Sequence, residues 1–357
     1  MNIELPMFQK VSLIDKFNFY EYLSVMLDGG VTISETLGSV QTKIKNPYFK
    51  EKIEELQTYV SSGDSFSKSM KKIPQIFTSG EVSIVESGET TGKLSLSLGH
   101  LAENLRKSHD LRSKIKGALT YPIIIFLFLI LAIIIVLAYV IPAVSQLFDN
   151  AEVELPLSTQ ALIATSDFVI YNWPVLILFI LTAGVLFYGY KNTEKGRANL
   201  DYFTLNLPLI GKVYKNYLLA SLSTNMGSLI GSGVPVTKSL SLTARSLNNL
   251  VYETHLNDVM RKVSGGQKIV DSMTEVDPEH RFFPLDFLQM LSVGEKTASL
   301  DAVSKKLTEQ YTREVNYSLG NLTKWIEPIA ILVAGVFVLW FAFAIFGAIL
   351  KVTQTVS

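Results

Sequence analysis

Three apolar runs constrain this chain more than anything else in it. Pro122–Ile141 reads PIIIFLFLILAIIIVLAYVI, 20 residues without a charge. At 1.5 Å per residue, a helix of that length is about 30 Å long, the thickness of a bilayer core. Trp173–Tyr190 is an 18-residue run that opens on Trp and closes on Tyr, residues favoured at a membrane interface. Ile326–Leu350 has 25 residues, and its one charge, Glu327, stands at its start. Runs this long and this free of charge are membrane spans rather than helices of a soluble core. The first begins at residue 122, so it is not a cleaved signal peptide.

The basic residues give the spans a direction. Arg106, Lys107, Arg112, Lys114 and Lys116 precede the first run; Lys191, Lys195 and Arg197 follow the second; Lys324 precedes the third. Between them, residues 118–190 hold Asp149, Glu152, Glu154 and Asp167 and no cation. The positive-inside rule then places both basic regions in the cytoplasm. The expected order is a cytoplasmic helical domain (1–117), a span (118–141), an extracytoplasmic linker (142–172) and a second span (173–190). A second cytoplasmic domain (191–325), a third span (326–350) and a short extracytoplasmic tail (351–357) follow.

The two cytoplasmic regions repeat one another. At an offset of 203, Gly30, Val31 and Leu37 meet Gly233, Val234 and Leu240, and Val60, Ser61 and Gly63 meet Val263, Ser264 and Gly266. Three extra residues in the second copy shift the offset to 206; Phe77 then meets Phe283, Gly88-Glu89 meet Gly294-Glu295, and Pro122 meets Pro328. Leu94, Leu98, Leu101 and Leu105 fall on one helical face, as do Leu300, Val303, Leu307 and Tyr311. No stretch alternates long enough for a sheet. The fold class expected is an all-α membrane protein with two repeated cytoplasmic helical bundles and three transmembrane helices. Gly30 and Gly233 read as glycines ending a helix, with Ser34 and Thr237 as caps of the next. Ala330 with Ala334, and Ala344 with Ala348, have the spacing of close helix packing or of ordinary lipid-facing alanines.

Chemistry is sparse. Cysteine is absent, which excludes disulfides, Cys-ligated zinc, Fe–S clusters and a Cys nucleophile. His100, His109, His255 and His280 have no metal-ligand spacing. Gly88–Lys93, GETTGK, has three residues between its glycines and Leu94 after its Lys; a Walker loop has four, then Ser or Thr. No catalytic residue, cofactor or metal is expected, and the chain is read as a non-enzyme. Net charge is zero, so contact with nucleic acid is not expected. Glu89 and Glu295 hold the same place in both repeats. They read either as carboxylates at a helix N-terminus, favoured by its dipole, or as interface or cation-binding groups.

Together these residues resemble the inner-membrane platform proteins of type IV pilus and type II secretion machines, the PilC/GspF family. The resemblance runs from about Phe19 to Val352. It is carried by Gly30-Val31, Ser87-Gly88-Glu89 with Gly92 and Leu94, and Ala118–Pro122. Leu155-Pro156-Leu157 in the linker also fits, as do Leu207–Gly211, Ser232–Pro235, Val293-Gly294-Glu295 and Glu327-Pro328. Ala298 stands where the resemblance leads one to expect Gly. It implies repeat-signature or interface roles for Gly30, Gly88, Glu89, Gly92, Gly233, Gly294 and Glu295. Pro122, Glu327 and Pro328 fall at the membrane boundary. It implies a protein of the bacterial cytoplasmic membrane, with its N-terminus in the cytoplasm. Its partners would be a hexameric cytoplasmic ATPase, pilin or pseudopilin transmembrane helices, other inner-membrane assembly proteins, membrane lipid and further copies of itself. The alternative, a membrane permease or transport-complex subunit, calls for ionisable residues at mid-membrane, and the spans hold none.

Overall fold

The computed structural model describes residues 11–149, 156–208 and 210–356, and among them the regular structure is helical with no strand. The first repeat comprises α1 (Leu13–Asp28), α2 (Ile33–Gln41), α3 (Pro47–Ser61), α4 (Phe66–Lys71), α5 (Ser79–Thr90) and the start of α6 (Leu94–Ile135). A single π-helical turn, Val136–Val140, separates α6 from α7 (Ile141–Asp149); α8 (Leu157–Tyr171) and α9 (Trp173–Lys191) follow. The second repeat holds α10 (Glu194–Asn206), α11 (Ile210–Gly231), α12 (Val236–Ser246), α13 (Leu250–Ser264), α14 (Ile269–Val276), α15 (Leu285–Lys296) and the start of α16 (Leu300–Val356). Packing divides the chain into two units. One joins the residues up to Lys114 with Asp201–Tyr317; the other joins Ile115–Leu200 with the chain from Ser318 onward.

Local chemistry starts and stops the short helices of the first unit. Ser12 with Asp15, Thr32 with Glu35 and Thr78 with Glu81 form capping boxes, in which each partner satisfies the other's free amide. Asn46 caps α3, whose first residue is Pro47. Gly30 and Gly233 have φ of 83° and 82° and end α1 and α11 in the same way. The next amide bonds back over the turn, Val31 to the Met26 carbonyl and Val234 to the Leu229 carbonyl. The caps expected at Ser34 and Thr237 lie two residues too late. Thr32 and Pro235 are already extended, with ψ of 153° and 142°, so the helices begin before Ser34 and Thr237.

The repeats share a core. Phe19, Tyr20, Phe49 and Phe77 form an aromatic cluster in the first, with Phe19 and Phe49 centroids 5.5 Å apart, edge to face. Tyr252 and Phe283, the counterparts of Phe49 and Phe77, meet edge to face at 5.9 Å in the second. Leu229 and Val234 of the second repeat lie in the first repeat's core cluster beside Leu98, Leu101 and Ala102. Two copies separated in sequence thus form one body.

The second unit carries the apolar segments. Among the described residues three helices are long and apolar enough to cross a membrane, within Leu94–Gln146, Trp173–Lys191 and Leu300–Leu350. No residue of α9 is buried, so its apolar surface faces outward on every side. The segment between the first two runs is helical where described. Its α8 packs on Leu137, Ile141 and Ala344 through Leu162. The Ser166 hydroxyl donates to the carbonyl of Leu137 in the π turn, and Thr159 donates to the carbonyl of Ala344. Both bonds satisfy polar groups away from water. Ala344 and Ala348 are fully buried, so their spacing marks a packed face; Ala330 and Ala334 are only half-buried.

Candidate functional site

Helices of six and eight residues are too short to hold themselves, and α4 and α14 have those lengths. Each is held from outside by a glutamate. Glu89, in the last turn of α5, accepts from the Phe66 amide at 2.6 Å and the Ser67 amide at 3.1 Å, and also from the Ser67 hydroxyl. Glu295, in the last turn of α15, accepts from the Ile269 amide at 2.5 Å and the Val270 amide at 3.3 Å. The two carboxylates therefore do sit at helix N-termini, where unpaired amides and the dipole favour negative charge. The helices they serve are not their own; each lies more than 20 residues earlier in the chain. Both oxygens of each glutamate are engaged by these amides. Among the described residues no group of three or more His, Asp or Glu is placed to hold a metal ion.

The glycine before each glutamate sets how closely the next helix approaches. A Cβ on Gly88 would stand 2.7 Å from the Cβ of Ser97 on α6, and one on Gly294 would stand 3.0 Å from the Cβ of Val303 on α16. The contact at Gly88 is closer than Cβ atoms approach, so that hairpin needs Gly; at Gly294 the Val303 side chain would have to give by a few tenths of an ångström. Gly92 then ends α5 with a φ of 68°, and Ala298 occupies the same backbone state in the second copy with a φ of 51°.

The signatures of the two repeats meet at the seam between them. The Ser87 hydroxyl donates to the carbonyl of Ser232, and a Cβ on Gly233 would lie 3.2 Å from the Ser87 hydroxyl oxygen. Beside this contact Lys238 pairs with Glu86 at 3.3 Å, and Asn104 donates to Ser228. Further along, Arg112 donates to the Tyr217 hydroxyl at 3.2 Å. A cleft of about 410 Å³ runs between the repeats, with Ser79, Arg112 and Tyr217 in its lining. A smaller polar cavity of about 170 Å³ is lined by His100, Glu103, Lys107, Asp301 and Lys305. The Lys107 ammonium lies 2.7 Å from Glu103, and that hydrogen bond holds the carboxyl below its usual range.

The structure thus joins Ser87-Gly88-Glu89 to Ser232-Gly233, while nothing lies within 4 Å of a Cβ on Gly30. Pro122 and Pro328 sit inside α6 and α16 without ending either helix. Glu327 is exposed, and among the described residues no ion pair joins it to Lys324. Two features escaped the sequence reading. The seam hydroxyls, Ser87 and Ser228 near helix ends and Ser232 just beyond one, look like any surface serines. Lys16, buried against Glu81, did leave a signal, because it shares a helix face with Phe19, Tyr20 and Leu23.

Comparison with known proteins agrees with the repeat. The family described as Type II secretion system (T2SS), protein F, matches twice, over residues 19–142 and 222–348. The type IV pilus assembly protein PilC of Thermus thermophilus is 32% identical, covering 95% of this chain and 82% of its own length. The PilC of Pseudomonas aeruginosa is 29% identical, over 92% of this chain and 87% of its own. The type II secretion system protein F of Aeromonas hydrophila is 26% identical, over 94% and 85%. With both repeats matched and nearly the whole chain aligned to pilus and secretion components, the protein belongs to the type II secretion system protein F family.

Proposed function

We propose that this chain is the inner-membrane platform of a type IV pilus or type II secretion machine. It takes up the movement of a hexameric cytoplasmic assembly ATPase and passes it to pilin or pseudopilin subunits entering a filament. In this reading 1–117 and 191–325 lie in the cytoplasm and face the ATPase. The apolar helices face lipid, pilin transmembrane helices and other inner-membrane assembly proteins, and the chain associates with copies of itself. Gly30, Gly88, Glu89, Gly92, Gly233, Gly294 and Glu295 shape the faces offered to these partners. Pro122, Glu327 and Pro328 lie where the chain meets the membrane.

The observation that carries the reading is the fusion of two repeats into one body, each repeat running on in sequence into an apolar helix. Such an arrangement suits docking and mechanical support better than turnover of a small molecule. The sequence holds no nucleotide loop, so energy comes from a partner. The names of the relatives point the same way. The test is to delete the gene in its own host and to purify the full chain in detergent from the complemented strain. Filament assembly or substrate secretion is expected to be lost on deletion, and the assembly ATPase to co-purify. Normal assembly and secretion without the chain would overturn the proposal.

A further inference from the structure

The seam uses one face of each repeat and leaves the counterpart of each face free. On the first repeat it uses the end of α5 and the adjoining α6, at Glu86, Ser87 and Asn104. On the second it uses the end of α11 and the start of α12, at Ser228, Ser232 and Lys238. Because the repeats are copies, the second also owns an α15–α16 face, at Ser292, Val293 and Gln310. The first likewise owns an α1–α2 face, at Val25, Gly29 and Glu35. These faces are halves of the same kind of joint, and they lie on opposite repeats.

Their surface chemistry is that of a joint. Val25, 67% exposed, stands where the seam has Ser228; Val293, 56% exposed, stands where it has Ser87. Leu285, 56% exposed, and Ile14, 37% exposed, are the counterparts of Ser79 and Tyr217, which line the cleft between the repeats. Large apolar side chains thus lie in water at positions whose copies are part of an interface. An open groove of about 410 Å³ between α14 and α15, lined by Val270, Thr274, Leu285, Val293 and Lys296, borders this face. Charge is complementary with the sign reversed. Glu35 replaces Lys238 on one side, and Lys296 lies one turn beyond Ser292, the counterpart of Glu86.

We infer that the α15–α16 face of one copy docks on the α1–α2 face of a second copy of this chain, in the manner in which the seam joins its own repeats. The occupant is a second copy because one chain carries both complementary halves, and because the seam shows that this pairing of faces is compatible with the repeat fold. The contact is head to tail. It uses different faces on the two partners, so neither face pairs with itself.

This inference rests on the self-association included in the proposed function, and its test reads contact rather than filament growth. The natural sequence has no thiol, so Val25→Cys and Gln310→Cys, the counterparts of Ser228 and Asn104, can each be the single cysteine of a full-length chain. The two variants carry different tags, are co-expressed and are oxidised in membranes. A disulfide dimer bearing both tags is expected, with neither variant linking to itself. Asn104→Cys with Ser228→Cys in one chain is the control, closing within the chain. Self-linked dimers of either variant alone would overturn the inference, as would a closed control without mixed dimers. A second measurement is the mass of the detergent-solubilised protein. Val293→Lys is expected to reduce wild-type oligomers to monomers; an unchanged mass, or a monomeric wild type, overturns the inference. A chain that cross-links as expected yet is dispensable for filaments refutes the platform role alone.

Discussion

Lys16 and Glu81 form a buried ion pair, with the ammonium 2.7 Å from the carboxylate and both side chains less than a tenth exposed. Lys16 also donates to the Ile76 carbonyl at 2.7 Å, and Glu81 accepts from the Thr78 amide at 2.7 Å. The second repeat builds the same place from Leu219 and Phe287, both fully buried. Charge is therefore not required by the fold there. Removing one partner leaves the other charged and unpaired, at a cost of about 3–5 kcal/mol. Glu81→Gln is expected to lower thermal stability of the full chain in detergent by an amount of that order. Lys16→Met with Glu81→Gln is expected to recover most of the loss, because Gln keeps the helix cap and no charge stays buried. Equal loss in the single and double variants would contradict this account.

The brackets at Glu89 and Glu295 predict a different pattern. Each hydrogen bond to a charged acceptor contributes about 1.5–3 kcal/mol. Glu89→Ala is expected to destabilise by about 2–4 kcal/mol and to raise hydrogen exchange first in Phe66–Lys71. Glu295→Ala is expected to do the same in Ile269–Val276. Glu89→Gln, which keeps one acceptor and loses the charge, should fall between. Neither magnesium nor calcium is expected to raise the melting temperature, because among the described residues no group of three or more acidic or histidine side chains is placed to hold an ion. Exchange that spreads evenly over the repeat would separate Glu89 from α4.

These residues also show what a sequence can and cannot disclose. The apolar spans, the repeat and the ends at Gly30 and Gly233 follow from composition and short-range rules, so they are legible. The pairing of Glu89 with α4 is not, since it joins residues 22 and 23 apart through a hairpin whose packing no local rule fixes. Thr32 and Ser34 have equal capping chemistry, and only backbone ψ shows that Thr32 is the one that caps α2. The Ser87–Ser232 contact spans 145 residues and depends on how whole repeats dock. The resemblance marked the residues of the seam but not their association.

Ala298 offers a substitution with a favourable sign. Its φ of 51° is left-handed, a region that carries a steric penalty for any residue with a Cβ, and its counterpart Gly92 avoids that penalty. Ala298→Gly is expected to stabilise the chain by about 1 kcal/mol in a denaturant titration. Gly92→Ala is expected to destabilise it by a similar amount. A loss on Ala298→Gly would mean that the unfolded chain's extra freedom outweighs the relieved strain.

Three buried phenols predict an alkaline limit. Burial, with the Glu81 carboxylate, pushes Tyr20 well above its ordinary 10.0; burial, with Asp277, does so for Tyr252. Burial and the Asp286 carboxylate raise Tyr311. Above pH 10 the unfolded chain loses these protons while the native state keeps them. Native protein then binds more protons, and stability falls as pH rises, by about 1.4 kcal/mol per unit for each group. Tyrosinate absorbance is expected to rise in two steps, the second coinciding with loss of helical circular dichroism. The Tyr20 hydroxyl has no hydrogen-bond partner, so Tyr20→Phe should move the alkaline midpoint upward without loss at neutral pH. A single absorbance step that precedes unfolding would contradict the burial.

Orientation in the membrane is the expectation with the sharpest readout. Lys and Arg cluster beside the apolar runs on residues 1–117 and 191–325, and are absent from 118–190. Retaining those cations on the cytoplasmic side puts α8 outside. Leu157, at the start of α8, is 83% exposed, and Lys71, at the end of α4, is also exposed. Each can carry the only thiol in the chain, because the natural sequence has none. Leu157→Cys is expected to react with a membrane-impermeant maleimide in cells with a permeable outer envelope. Lys71→Cys is expected to react only after the cytoplasmic membrane is opened. The reverse pattern would place both repeats on the far side, away from any cytoplasmic ATPase, and would remove the platform reading along with the orientation.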